Sequence, residues 1–421
     1  MLIKAEVIHF QPKNINSPYF QAAKKLCLIL KNNGFQAFIV GGYVRKLFLS
    51  SDAPYHDQDI DISTSAQGTD IKKIFEEALC INKKLYVYLV KINGHGFEIT
   101  SFRSESQYND GRRPSQANYA SMEKDSLRRD FTINAMYFDP NRNLVYDYHN
   151  GIQDLGKKVI RCVGVPDSRF NEDYLRIIRL FRFSINLNFT IEKTTLFAAK
   201  SNKFKILNIS KERVCDEIRK ISNNKLYSFF IIVEKELSFF KILFDVELKT
   251  LITKLSYTLH DTMRHYPCLA MYLVIFLNIE EKFYLSSELQ RKFLLWPMKR
   301  EEKKQLNFTW NLLKIILESK KLSKTDLDFE VFKIIYKTSL SLQKIDTILS
   351  IVIKKIEIEV YTIQKIKKLT LPSLSLKDFI HSNLKKNNVQ QRSDISSLEE
   401  KSKADIYMHM YYRAFVDTHI H

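Results

Sequence analysis

Glycine stops at residue 164. All ten glycines of this 421-residue chain lie at or before Gly164, and residues 165–421 contain none. A stretch of that length without glycine lacks the residue that most easily supplies left-handed turns and close backbone approaches. Its prolines are limited to Pro166, Pro267, Pro297 and Pro372, and apolar residues recur at three- and four-residue spacing, as in Asn307–Ser319 and Phe329–Ile345. This part is therefore expected to be almost entirely helical. The glycine-bearing part reads differently. From Phe38 to about Tyr148, short β-branched or aromatic runs alternate with turn signals, giving expected strands at Phe38–Val40, Ile60–Ile62, Leu85–Ile92, Gly96–Phe102 and Thr132–Phe138. Asn93-Gly94 favours a tight hairpin between the third and fourth, since both positions tolerate positive φ. The expected class is α+β: an N-terminal head with a mixed β-sheet and helices over residues 1–150, then all-α segments over 151–222 and 223–421. Asn387–Ser402 is polar and reads as a loop or linker.

A single core seldom grows past roughly 250 to 300 residues, so the length implies more than one domain. A formal charge of +19 on a chain that is 45% hydrophobic describes a folded protein with a basic exterior, suited to polyanions. Lysine-rich clusters punctuate the helical part: Lys299-Arg300, Lys303-Lys304, Lys320-Lys321, Lys354-Lys355, Lys365 with Lys367-Lys368, and Lys385-Lys386. Each alone reads as a solvated helix face, and their repetition favours contact with a nucleic-acid backbone. No apolar run is long enough to span a bilayer, and the first residues lack a secretory segment, so a cytoplasmic protein without membrane contact is expected. Cys27, Cys80, Cys162, Cys215 and Cys268 are scattered and form no C-x-x-C pair, which implies neither a disulfide framework nor a thiolate zinc site. His260-Asp261, with His265 nearby, lacks the further ligands a metal centre needs and reads as structural.

Four segments carry candidate chemistry. In Phe38–Arg45 a strand runs into Gly41-Gly42 and then a helix, so backbone amides can approach phosphate oxygens while Arg45 supplies a fixed positive charge. Asp59 and Asp61 share one face of the following strand, because side chains alternate with period two. Their mutual repulsion is relieved by divalent cations, and Glu98 on a later strand can join the acidic cluster. Arg129, Asp130 and Asn134 lie in Asp125–Ala135, where arginines can clamp phosphate and the Asp and Asn can bond ribose hydroxyls. Asp173, Arg176, Arg179 and Arg182 recur at three-residue spacing, which on one helix makes a polar ridge. An acceptor beside a donor, Asp173 with Arg176, complements the Watson–Crick edge of cytosine or adenine and leaves guanine and uracil mismatched. Together these segments point to nucleotidyl transfer.

Taken together the segments resemble the class II tRNA nucleotidyltransferase and bacterial poly(A) polymerase family, the CCA-adding enzymes in particular. Matching blocks run from about Gly34 to Lys220, and include Tyr108–Pro114, similar to the family's flexible loop, and Ser210–Val214, similar to the motif that ends the neck. The resemblance implies a nucleotidyltransferase head, then a helical neck with the nucleotide-selecting motif, and a tRNA-binding body and tail. It implies Mg2+ on Asp59 and Asp61, and triphosphate contacts from Gly42, Arg45, Arg179 and Arg182. Arg129, Asp130 and Asn134 would meet ribose or phosphates, and Asp173 with Arg176 would select CTP or ATP. The expected activity is addition of CMP, CMP and AMP to tRNA 3′ ends with release of pyrophosphate. Poly(A) polymerase is the closest alternative, disfavoured by Cys80–Tyr86 in place of that enzyme's Gly-Arg-Arg-Phe-Arg-like stretch. Further alternatives are partial CC or A addition and an inactive RNA-binding protein. Lys46 departs from the family, which usually has aspartate after Val-Arg, and puts the orientation of Arg45 in question.

Overall fold

The structure, a computed structural model, describes residues 4–12, 17–49, 60–108, 111, 114–222, 225–248, 265–278 and 287–318. The expectations placed on Asp59, His260-Asp261, Phe329–Ile345, Asn387–Ser402 and the lysine clusters from Lys320 onward lie outside these residues. The described chain divides into two compact units. One comprises residues up to 217 with 232–243, and the other comprises 218–231 with those from 244 onward.

The first unit is built on twelve strands: β1 (Glu6–His9), β2 (Ala37–Val40), β3 (Asp61–Thr64), β4 (Leu79–Asn82), β5 (Val87–Ile92), β6 (His95–Ser101), β7 (Arg103–Tyr108), β8 (Pro114–Tyr119), β9 (Tyr137–Asp139), β10 (Leu144–Asp147), β11 (Val159–Ile160) and β12 (Thr190–Ile191). Eight form one sheet in the order β1-β10-β9-β2-β3-β6-β5-β4, while β7 and β8 pair as a separate ribbon and β11 pairs with β12. Within the large sheet only β3 and β6 run parallel, which makes it mixed. Every residue of β2 is buried, as expected of a central strand without polar side chains. Helix α1 (Pro18–Asn32) packs on this sheet through Phe20, Ala22, Ala23, Leu26, Cys27 and Leu30. It starts where Ser17 accepts a bond from the Phe20 amide and Pro18 takes the first turn. On one sheet face Phe38, Val40, Phe102 and Tyr137 form an apolar cluster with Met122.

Several expected strands move. The hairpin at Asn93-Gly94 is present, with φ of 51° and 80°. The third strand begins at Val87, because Leu85 and Tyr86 form a turn in which Tyr86 has a φ of 53°. Residues 79–82, read as no strand, make the edge strand β4. Thr132–Phe138 is not one strand: Thr132–Asn134 is a 3-10 turn and β9 starts only at Tyr137. The turn is imposed by its partners, since the Thr132 amide donates to Arg161 O at 2.9 Å and its hydroxyl to Asp154 Oδ2 at 2.7 Å.

The remaining helices are α2 (Gly42–Leu49), α3 (Gly68–Ile74), α4 (Met122–Leu127), α5 (Gly151–Lys157), α6 (Pro166–Glu172), α7 (Leu175–Leu187), α8 (Lys193–Ser201), α9 (Lys211–Arg219), α10 (Leu226–Leu237), α11 (Phe239–Phe244), α12 (Pro267–Asn278), α13 (Ser287–Leu294) and α14 (Arg300–Glu318). The glycine-free part is helical apart from the two-residue β12 and short connections, among the described residues. Its left-handed positions fall to Asn188, Ser238 and Asp245, with φ of 57°, 55° and 58°. In the second unit the buried Glu302 of α14 accepts from the amides of Cys268 and Leu269 at the start of α12, at 2.6 and 3.3 Å. A carboxylate there satisfies amides that have no intrahelical partner. No helix among the described residues is long and apolar enough to cross a membrane.

Candidate active site

The sheet register assembles the first part of the site. Val40, the last residue of β2, faces Asp61 on β3, and Asp61 in turn faces Glu98 on β6. Val40 also pairs with Tyr137 on β9, so Tyr137, Val40, Asp61 and Glu98 form one row across four strands and share a face. The chain leaves β2 through Gly41, whose φ of +73° is disfavoured for a side-chain-bearing residue, and enters α2 at Gly42. A Cβ built on Gly41 would lie 3.8 Å from Asp61 Oδ2 and 3.9 Å from Arg129 Nη1. The turn, the acid and an arginine therefore meet at one point.

Helix α7 supplies the opposite wall. A cavity of about 460 Å³ is lined by Gly41, Gly42, Arg45, Asp61, Arg129, Asp130, Asn134, Asp173, Arg176, Arg179 and Arg182. Thus all but two of the residues singled out in the sequence converge. Glu98 is exposed beside Asp61 and does not line the cavity, and Asp59 lies outside the described residues. Four further residues line it: Arg128, Leu175, Phe183 and Arg213. With seven arginines against three aspartates, the cavity suits a polyanion.

Its side chains are held in a continuous network. Asp130 Oδ2 accepts from Arg179 Nη2 at 2.6 Å, and its Oδ1 accepts from Asn134 Nδ2 at 3.1 Å and from the Phe131 amide at 2.8 Å. Burial would raise the Asp130 pKa, yet Arg179, the Asn134 bond and Arg176 hold it well below the usual carboxylate range. Asn134 Oδ1 accepts from Arg45, whose guanidinium also lies 5.0 Å from the centre of the Phe183 ring. Burial pushes the Arg45 pKa down to about 10, against the pull of Asp130, so it remains a cation at neutral pH. One of its buried N–H groups, Nε, has no partner among the described residues. Lys46 is exposed and does not line the cavity, so Arg45 is oriented by Asn134 and Phe183. Arg179 and Arg182 also sit over Phe183, at 5.3 and 4.0 Å. One ring thus carries three cations.

The polar ridge expected on one helix is divided. Helix α6 ends at Glu172, and Asp173 is extended, with φ −146° and ψ 105°, before α7 starts at Leu175. Asp173 and Arg176 are therefore not paired across a helical turn. Asp173 accepts both guanidinium nitrogens of Arg213, at 2.9 and 2.8 Å, and its Oδ1 also accepts from the Leu175 amide at 3.1 Å. Arg176 donates to Glu172 Oε2 at 2.7 Å, Arg169 O at 3.0 Å and Arg128 O at 2.7 Å. That leaves Arg176 two of its five N–H donors and Asp173 a free acceptor position on Oδ2. Nor does Arg129 pair with Asp130. It reaches Asp125 Oδ2 at 3.2 Å and the Tyr137 hydroxyl at 3.1 Å.

Arg213 and Glu217 join the network from outside the four segments with candidate chemistry. Both lie on α9, four residues apart, and Glu217, 2% exposed, accepts from Arg182 Nε at 2.5 Å and faces Arg179 Nη1 at 3.5 Å. The available signal was Ser210–Val214, which contains Arg213 but stops short of Glu217.

Comparison with known proteins agrees with this geometry. Residues 37–161 match the family model described as Poly A polymerase head domain, and residues 188–244 match that described as probable RNA and SrmB-binding site of polymerase A. The CCA-adding enzyme of Staphylococcus epidermidis is 44% identical over 213 residues, 50% of this chain and 52% of that protein. That of Streptococcus mutans is 43% identical over 203 residues, 48% of this chain and 49% of that protein. The chain thus matches about half the length of these relatives. Structural likeness extends further. The crystal structure of the Bacillus stearothermophilus CCA-adding enzyme in complex with CTP aligns over 96% of this chain and 94% of its own, with a TM-score of 0.59 and 23% identity. The Thermotoga maritima CCA-adding enzyme complexed with tRNA aligns over 94% and 92%, with a TM-score of 0.59 and 19% identity. These two show a shared fold. Over residues 37–161 the chain is thus similar to the poly A polymerase head domain.

Proposed function

We propose that this protein is a CCA-adding tRNA nucleotidyltransferase, acting in the cytoplasm, that transfers CMP, CMP and AMP from CTP and ATP to the tRNA 3′ end without a nucleic-acid template. The observation that carries the reading is the convergence of Gly41-Gly42, Asp61, the arginine cluster and Asp173 with Arg176 on one cavity. The names of the relatives matched over half the chain support the same activity. In this reading residues 1–150 are the catalytic head, 151–222 the neck, and 223–421 the body and tail that hold tRNA.

Arg45, Arg179 and Arg182 neutralise the triphosphate, and the Gly41-Gly42 turn brings backbone amides against it. Arg129, Asp130 and Asn134 position ribose and phosphates. Asp173 accepts the exocyclic amino group of cytosine or adenine while Arg176 donates to the adjacent ring nitrogen. Guanine and uracil would leave both groups unpaired. The tRNA 3′-hydroxyl attacks the α-phosphorus, the bond to the bridging oxygen breaks, and pyrophosphate leaves. Positioning and fixed positive charge supply much of the acceleration.

Asp59 and Asp61, with Glu98 beside Asp61, would hold magnesium. Among the described residues no group of three or more His, Cys, Asp or Glu is set to bind a metal, but the hard carboxylate oxygen of Asp61 fits that ion. An ion held there would supply activation of the attacking oxygen and charge neutralisation at the leaving group.

Labelled CTP and ATP supplied with magnesium to tRNA lacking its 3′ end should give products ending in CCA. Substitution Asp61→Asn should slow incorporation by roughly a thousandfold, equivalent to several kcal/mol, without abolishing tRNA binding. ATP runs of indefinite length would assign the protein to poly(A) synthesis. Products stopping at CC, or extended only by A, would assign partial addition, and binding without incorporation would remove the catalytic reading.

A further inference from the structure

Phe183 on α7 is 6% exposed and has no polar atom in its side chain, yet the guanidinium groups of Arg182, Arg45 and Arg179 lie 4.0, 5.0 and 5.3 Å from its ring centre. Arg179 stands one helical turn before it and Arg182 directly before it, while Arg45 arrives from α2. The ring itself is held edge-on against Phe131, at 5.7 Å and 80°, next to Asp130 in the chain.

Like charges gathered so closely repel, and burial removes the water that would screen them. Two carboxylates answer part of that repulsion: Asp130 takes Arg179, and Glu217 takes Arg182 while facing Arg179. Arg45 has no ion pair among the described residues. It is held by Asn134 Oδ1 and by the Phe183 ring, neither of which carries a charge. A third carboxylate could hold Arg45 as well, but it would cancel the charge that a polyanion needs. The face of an aromatic ring attracts cations through its quadrupole and leaves their net charge in place. Three arginines against Asp130 and Glu217 therefore keep one net positive charge here, gathered in advance of any ligand.

We propose that, with the cavity read as a nucleotide site, Phe183 is a positioning residue for the triphosphate. It acts through Arg45, Arg179 and Arg182, not by stacking on the base. Arg45 depends on it most.

Equilibrium binding of CTP, ATP and inorganic pyrophosphate to the full chain, each with magnesium, tests this without incorporation. Phenylalanines bearing one, two and three ring fluorines, placed at 183, keep the shape of the side chain and drain negative charge from its face. Affinity for all three ligands should fall in even logarithmic steps, reaching roughly tenfold at three fluorines, and Phe183→Leu should lose at least as much. Preference for CTP over UTP should stay as in the wild type, because the base is read elsewhere in the cavity. In Arg45→Met the fluorine series should lose at least half its slope. Circular dichroism and thermal midpoints confirm that the near-isosteric fluorinated proteins are folded. Affinities indifferent to fluorination, a loss seen for nucleotides but not for pyrophosphate, or a slope unchanged in Arg45→Met would each overturn the role of Phe183. A wild-type chain that binds none of the three ligands would instead remove the nucleotide reading of the cavity, and this role with it.

Discussion

Arg213 and Glu217 show how one helical turn serves two sides of a cavity. Spaced by four on α9, they point the same way, and one grips Asp173 while the other grips Arg182 and faces Arg179. Their substitutions should separate. Arg213→Lys keeps the charge but loses the two-pronged grip, so Asp173 should drift and preference for CTP over UTP should fall by roughly tenfold, about 1.4 kcal/mol. Glu217→Gln should leave that preference intact. It should raise the KM for CTP and ATP together and lower unfolding stability by about 3 kcal/mol, because it breaks a buried ion pair. Asp125 supports two other arginines of the cavity, Arg128 and Arg129. It is fully buried; desolvation would raise its pKa, but Arg128, Arg129 and the Tyr137 hydroxyl hold it down to about 2 from an ordinary 3.8. A depressed carboxylate stabilises the fold above its unfolded pKa and loses that effect as pH falls through its folded one. On the order of 2 kcal/mol should therefore be complete above about pH 4 and vanish towards pH 2. Urea unfolding across that range should show a shallower slope in Asp125→Asn.

Between elements, the decisive geometry comes from interruptions that periodicity does not encode. Thr132–Phe138 alternates like a strand, yet the bonds from Thr132 to Arg161 and Asp154 curl its start into a turn, and that turn presents Asn134 to Asp130 and Arg45. Asp173, Arg176, Arg179 and Arg182 have helical spacing, yet the chain is extended at Asp173 between α6 and α7. The carboxylate is therefore free to take Arg213 instead of Arg176. Gly151 marks another such join, where α5 packs on the turn: a Cβ there would stand 2.4 Å from Thr132 O. Because the obstacle is backbone, Gly151→Ala should destabilise by about 1–3 kcal/mol and displace Asn134. Thermal unfolding and a raised KM for nucleotide would register it. By contrast, β2, the Asn93-Gly94 hairpin and the apolar spacing of the helices were legible, since each depends on neighbours within a few residues.

For the whole molecule, charge and fold report on different things. A formal charge of +19 is a property of composition, and it suits a polyanion whatever the detailed contacts. With about four phosphate contacts, affinity for tRNA should fall on the order of a hundredfold between about 50 and 200 mM salt. Filter binding over that range measures it, and a log–log slope shallower than about −1 would count against a phosphate-dominated grip. Close sequence relatives match over half this chain, whereas structural likeness extends over nearly all of it. The sequence alone determined the change from a glycine-bearing α/β part to a glycine-free helical one, the turn at Gly41-Gly42, and the types of residue offered for chemistry. These rest on local backbone freedom and short-range periodicity. Tertiary structure alone decided that Asp61 faces Glu98 while only Asp61 lines the cavity, that Phe183 underlies three arginines, and that Asp173 belongs with Arg213. Apart from Arg179 and Arg182, which neighbour Phe183 on α7, those pairings join residues dozens of positions apart, brought together by sheet register and the packing of helices.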